Sequence, residues 1–188
     1  MSSVEDVKMP QTVTHILIPL ILCNLFRDIF FKKNKREVFP LHYVLIAGVA
    51  GVLPDIDILV YYILCFFGFA LNEVHITFSH NILIPLIFFV LALFFMRFKN
   101  KELGKHHIKS SGIFFALAFG TFMHIFLDFL IAGWIMPFYP FNTSYFGLNL
   151  INFVPEFWRS SILSVIDGGL LILYLIYLEL KHKISDFI

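Results

Sequence analysis

Eight ionisable side chains stand inside otherwise apolar stretches of this 188-residue chain: His15, Asp55, Asp57, His75, His80, His124, Asp128 and Asp167. Imidazole nitrogens mixed with carboxylate oxygens form a donor set for a divalent transition metal, zinc first, with manganese or iron also suited. His124 and Asp128 are four residues apart, so on a helix they share one face and serve one ion or two adjacent ions. The plain alternative for that pair is an i,i+4 hydrogen bond. Asp55 and Asp57 follow Pro54 in Gly51-Val-Leu-Pro-Asp-Ile-Asp. The proline removes a helix donor there, so both carboxylates are expected on broken backbone, and the plain alternative is a kink with a polar plug. A lone His15 would be incidental; its company makes it a candidate ligand beside His80, with His75 a weaker one. Asp167 has no motif around it, and a supporting or helix-packing role suits it as well as ligation.

The segments that carry these residues are long and nearly uncharged. Met9–Phe26, Phe39–Asn72, Val74–Met96, Ser110–Tyr139 and Ser160–Leu178 each exceed or approach the roughly 20 residues that cross a hydrocarbon core as helix. No alternating ten-residue strands occur, which leaves the helix as the spanning backbone. The expectation is an all-α, polytopic membrane bundle of about five transmembrane helices in a single domain, residues 1–188. Composition agrees: 59% of residues are hydrophobic and 14% charged, against about 25% charged in soluble domains. Mean hydropathy is +0.85. A formal charge of +1 gives no footing for nucleic acid or an acidic partner. The bilayer is the one partner the composition demands. Cys23 and Cys65 read as two buried thiols, since neither belongs to a CxxC motif. The first apolar run has no small-residue cleavage site after it and is expected to remain as an anchor.

Lysine and arginine set the orientation. Arg27, Lys32, Lys33, Lys35, Arg36, Arg97, Lys99, Lys101, Lys105, Lys109, Lys181 and Lys183 fall on one side, and only Lys8 and Arg159 on the other. The bias places the N-terminus outside and the C-terminus in the cytosol. His15, Asp55, Asp57, His75, His80, His124, Asp128 and Asp167 then all lie in the outer half of the membrane, though they come from separate segments. Ionisable groups inside spans cost about 2.5–3.5 kcal/mol each on insertion scales and mark function. His42, His106, His107 and His182 fall on the cytosolic side and read as solvated. The Pro137–Trp158 stretch, rich in proline and aromatic residues, reads as lying along the outer interface. The Asn142-Thr-Ser sequon reads as chance.

These residues resemble, in order, the motif set of the prokaryotic membrane-bound metal-dependent hydrolases, the YdjM-like family, itself similar at motif level to zinc-dependent phospholipase C. Thr14-His15 matches its opening Thr-His. Gly51, Pro54, Asp55 and Asp57 match Gly-x-x-Pro-Asp-x-Asp. His75 and His80 keep the spacing of a His-Arg-Gly-x-Thr-His-Ser segment, with Ile76, Thr77, Ser79 and Asn81 substituted. His124, Asp128, Gly133, Pro137 and Phe138 match the closing His-x-x-x-Asp, Gly and Pro-Phe. The resemblance covers about residues 12–140. It implies a multi-pass protein of the prokaryotic inner membrane with an outward-facing site that hydrolyses an ester, and a phosphoester such as a lipid headgroup fits best. The ligands would be His15, Asp55, Asp57, His75, His80, His124 and Asp128. Ile76 in place of Arg removes a side chain that would grip an anion, and leaves the ligand set intact.

In that reading the ion lowers the pKa of water towards about 7, and Asp57 takes the proton. Two other classes compete. A transporter needs interrupted spans in matching halves, and only the break at Pro54 is visible. A noncatalytic scaffold needs a fully ligated ion with no open position.

Overall fold

A computed structural model describes residues 12–31, 38–69, 79–98, 102–103, 108–131 and 134–183. Each of the five apolar segments contains helix. The first forms α1 (Thr12–Phe30) and the second α2 (Leu41–Ala50), a 3-10 turn at Pro54–Ile56 and α3 (Asp57–Leu64), closed by a 3-10 turn at Cys65–Phe67. The third forms α4 (Leu83–Arg97), the fourth α5 (Ser110–Ile131) and the fifth α6 (Glu156–His182). Two-residue strands, β1 (Glu102–Leu103) and β2 (Ile108–Lys109), pair antiparallel between α4 and α5.

α1, α5 and α6 are long and apolar enough to cross a membrane, and α2 with α3 makes a fourth span if the bent pair is counted as one. α4 is apolar but has 15 residues, short of the roughly 20 a span needs. The all-α membrane architecture therefore stands with three or four spans meeting the length among the described residues, where the sequence suggested about five. The bend is where Pro54 places it. α2 and α3 meet at 47°, and from Val52 onward the backbone amides reach back three residues instead of four.

α5 occupies the centre, packed against α4, α2 and α1, while α6 lies chiefly along α1. Close approach of α2 and α5 depends on small residues: Ala47 and Ala50 are fully buried, and a Cβ at Gly120 would overlap the Ala47 carbonyl and the Ala50 side chain. Small residues at contacts and large apolar ones outside are the pattern of helices packed in lipid. Ile29, Phe66, Phe67, Val165 and Leu180 all point outward. Cys23 is buried as expected, but Cys65 is half-buried, and its thiol lies 3.1 Å from the Tyr62 carbonyl at the end of α3.

α6 begins four residues earlier than its apolar run, so Asp167 lies about three turns inside it. Its joint with α1 is largely polar. Thr14 donates to Asp167, the Asn24 amide donates to the Tyr174 hydroxyl at 3.3 Å, and Asp28 accepts from Tyr177 and pairs with His182 at 2.8 Å. Partners rise together along both helices, so α1 and α6 run in the same direction. His182, expected in solvent, is instead held by Asp28. The helix carries it back onto α1, where a carboxylate with little solvent access is present.

Candidate metal centre

The site forms where two helices lose their regular hydrogen bonds. In α2, the Gly51 carbonyl would meet the amide of residue 55, but the Asp55 amide bonds to Val52 and Pro54 has no N–H. The freed carbonyl is taken by His124 of α5, whose Nδ1 donates to it at 2.7 Å. In α1, Pro19 likewise leaves the His15 carbonyl without its i+4 donor, and that carbonyl packs directly on Gly51. Only a glycine admits this approach, since a Cβ at position 51 would overlap the carbonyl oxygen.

His124 is thereby fixed as the Nδ1–H tautomer, and its Nε2 presents a lone pair. His80 is set the same way from the other side: its Nδ1 lies 3.0 Å from the Ser79 hydroxyl and 3.5 Å from Asp57 Oδ2, and Ser79 also donates to that carboxylate. The two Nε2 atoms face each other at 3.1 Å. Asp55 Oδ1 lies 3.5 Å from His80 Nε2 and 3.4 Å from His124 Nε2, and Asp128 Oδ2 lies 3.5 and 3.1 Å from the same atoms. Two imidazole lone pairs at that distance repel unless a proton or a cation lies between them, and two carboxylates beside them favour positive charge.

The donor spacing also suits an ion. Bonds of about 2.0–2.1 Å in a tetrahedral zinc site put donors about 3.3–3.4 Å apart. The two Nε2 atoms are 3.1 Å apart, and each lies 3.1–3.5 Å from an oxygen of Asp55 and from one of Asp128. A second group overlaps the first. His15 Nε2 lies 3.4 Å from Asp128 Oδ1, its ring lies tilted against that of His124 with centroids 4.1 Å apart, and its Nδ1 is buried without a hydrogen-bond partner. His15, His124 and Asp128 thus form one set of converging donors, and Asp55, His80 and His124 another. His15, His80, His124 and Asp128 are all nearly fully buried.

Of the sequence-predicted residues, His15, Asp55, His80, His124 and Asp128 converge. Asp57 stands one step behind, with its described contacts on the Nδ1 side of His80, which is the position of a carboxylate that orients a metal-binding imidazole. His75 lies outside the described residues, as do His106 and His107. Asp167 contacts Thr14 beside His15, and its Oδ2 is buried without a partner. Ser79 and the Gly51 carbonyl were not singled out by sequence. Ser79 was visible only as the neighbour of a candidate ligand, and a carbonyl leaves no mark in sequence except the proline three residues later. Pro137 also has a use: its carbonyl accepts from the Ile82 amide at 2.9 Å and ties the segment after α5 to the start of α4, next to His80.

A helical membrane protein with a buried cluster of imidazoles and carboxylates between its helices is the class that fold and site define. The chain belongs to the YdjM inner membrane protein family, whose model matches residues 9–184. No curated protein and no solved structure matches it.

Proposed function

We propose that the chain is a metal-dependent hydrolase of the inner membrane that cleaves a phosphoester, with His80, His124, Asp55 and Asp128 holding a divalent ion, most simply zinc. The observation that carries this reading is the pair of fixed Nε2 lone pairs 3.1 Å apart, with one oxygen of Asp55 and one of Asp128 each 3.1–3.5 Å from both. A bound ion would supply Lewis acidity and water with a pKa near about 7. The chain's own residues do the rest. Gly51 and Asp57 hold the two imidazoles in their ligating tautomers, and His15 supports Asp128 through its second oxygen. Asp57 therefore suits positioning better than proton transfer. Asp55, the most exposed of the three carboxylates at 19% of its side chain, is the better placed proton acceptor.

One observation favours a noncatalytic scaffold: the cluster gathers donors from His15, Asp55, His80, His124 and Asp128, enough to close an ion without water. The two readings separate by experiment. Purified protein should carry about one zinc or more per chain, with occupancy falling sharply in Asp55→Asn, His80→Ala and His124→Ala and unchanged in His106→Ala. Reconstituted protein should hydrolyse members of a panel of phospholipids and soluble phosphoesters, with activity lost to chelator and restored by metal. Equal metal content in all variants would remove the metal reading. Metal-replete protein that hydrolyses nothing on the panel would leave the scaffold.

A further inference from the structure

Asp128 presents its two oxygens to different imidazoles. Oδ2 lies 3.1 Å from His124 Nε2 and 3.5 Å from His80 Nε2, while Oδ1 lies 3.4 Å from His15 Nε2. An ion between His80 and His124 uses Oδ2 alone. Oδ1 and the His15 nitrogen remain as a separate pair, at the about 3.3–3.4 Å that separates two donors of one tetrahedral ion. Both residues are buried, and His15, His124 and Asp128 each offer a ligand atom within 4.8 Å of the others. Charge points the same way. Asp55 and Asp128, ionised as ligands, balance one divalent ion, and Asp57 behind His80 adds a third carboxylate. The segments that build the cluster, 9–26, 39–96 and 110–139, contain no lysine or arginine to offset it. With one ion, an anionic phosphoester would enter a site that has no net positive charge.

We propose that a second divalent ion binds between His15 Nε2 and Asp128 Oδ1, with the Asp128 carboxylate bridging it to the ion held by His80, His124 and Asp55. The proposal rests on the metal reading of the cluster and gives the two ions different work. Four protein donors close the first ion, whereas His15 and Asp128 supply the second with two and leave it open to water and to an ester oxygen. Two divalent ions about 3.5–4 Å apart stabilise both the attacking and the leaving oxygen of a phosphoryl displacement. The plain alternative is that His15 Nε2 carries a proton shared with Asp128 Oδ1 and binds no ion. The ligating form of His15 needs that proton on Nδ1, which is buried with no acceptor among the described residues. His124 and His80 do have partners at Nδ1. The second ion should therefore bind more weakly than the first, by about tenfold or more.

The test counts zinc per chain in full-length protein in detergent, by elemental analysis after dialysis against a series of buffered free zinc concentrations. Wild-type protein should fill in two steps to two ions, and His15→Asn, which keeps a small polar side chain but lacks Nε2, should fill in one step to one. A wild-type protein that stops at one ion overturns the second site and leaves the single-ion hydrolase reading standing. A wild-type protein that binds none overturns both. Two ions in wild type and in His15→Asn alike would remove His15 from the site and overturn the proposal. Manganese gives a reading that needs no variant and decides the matter if His15→Asn loses both ions. Two manganese ions bridged by one carboxylate are exchange-coupled, so the electron paramagnetic resonance spectrum of wild-type protein should pass from that of an isolated ion to that of a coupled pair as the second equivalent binds. An uncoupled spectrum at two equivalents overturns the bridge.

Discussion

Gly51→Ala should weaken metal binding although residue 51 contributes no side chain to the site. The new Cβ would overlap the His15 carbonyl oxygen and would stand 2.9 Å from Pro19 Cγ and 3.0 Å from the His15 carbonyl carbon, where ordinary contact begins near 3.4 Å. Relief requires α1 and α2 to part by about an ångström or more, a strain at or above the about 1–3 kcal/mol typical of overpacked sites. His15 moves with α1, and the Gly51 carbonyl that fixes His124 moves with α2. Metal sites tolerate about 0.2 Å in their bonds, so the displacement exceeds what the donors can absorb. The expected loss is about 10- to 100-fold in zinc affinity, the usual effect of disturbing groups that orient ligands. Competition against a fluorescent chelator in detergent measures it. Gly168→Ala is the control: a Cβ there meets nothing within 4 Å, and alanine favours the helix by up to about 1 kcal/mol. Unchanged zinc affinity in Gly51→Ala, or the same loss in Gly168→Ala, would refute the role assigned to the α1–α2 contact.

Three further outcomes are expected. Ser79→Ala and Asp57→Asn should each lower zinc affinity by about tenfold with no ligand removed, because each loosens the His80 tautomer, and the same chelator competition reads them. Thr14→Val should reduce resistance to unfolding by about 0.6–1.7 kcal/mol, the measured range for hydrogen bonds between membrane helices, as followed by denaturation in mixed micelles. In intact cells, an impermeant thiol reagent should label a cysteine placed at position 142 and spare one at position 34; the reverse pattern would invert the orientation that the basic residues predict.

Much of this architecture can be read from residue types. Apolar runs locate the six described α-helices, because lipid rewards length and lack of charge directly. Pro54 marks the break, and the unusual density of histidine and aspartate within those runs identifies five residues that meet. Rotations of the helices about their axes are a different matter. In a bilayer both the packed face and the lipid face are apolar, so periodicity does not reveal which side of α6 meets α1. That is why His182 reads as solvated from sequence yet pairs with Asp28, and why the joint through Asn24, Tyr174 and Tyr177 has no sequence signature. Asp57 shows the limit at finer scale. It lies two residues from Asp55, but the turn that begins at Pro54 puts it behind an imidazole instead of among the donors.

The two prolines set regularity against affinity in this bundle. Pro19 and Pro54 each interrupt a ladder of backbone bonds, and each interruption releases the carbonyl that the other helix or the histidine then uses. A change that repaired either ladder would make its span straighter and more robust on its own, and would withdraw the oxygen or the close approach that shapes the cluster. Selection for thermal robustness alone would tend to erase these two positions. On the proposed metal-site reading, they should therefore be the first sites at which a hardened variant of this protein loses cation binding while its helices remain intact.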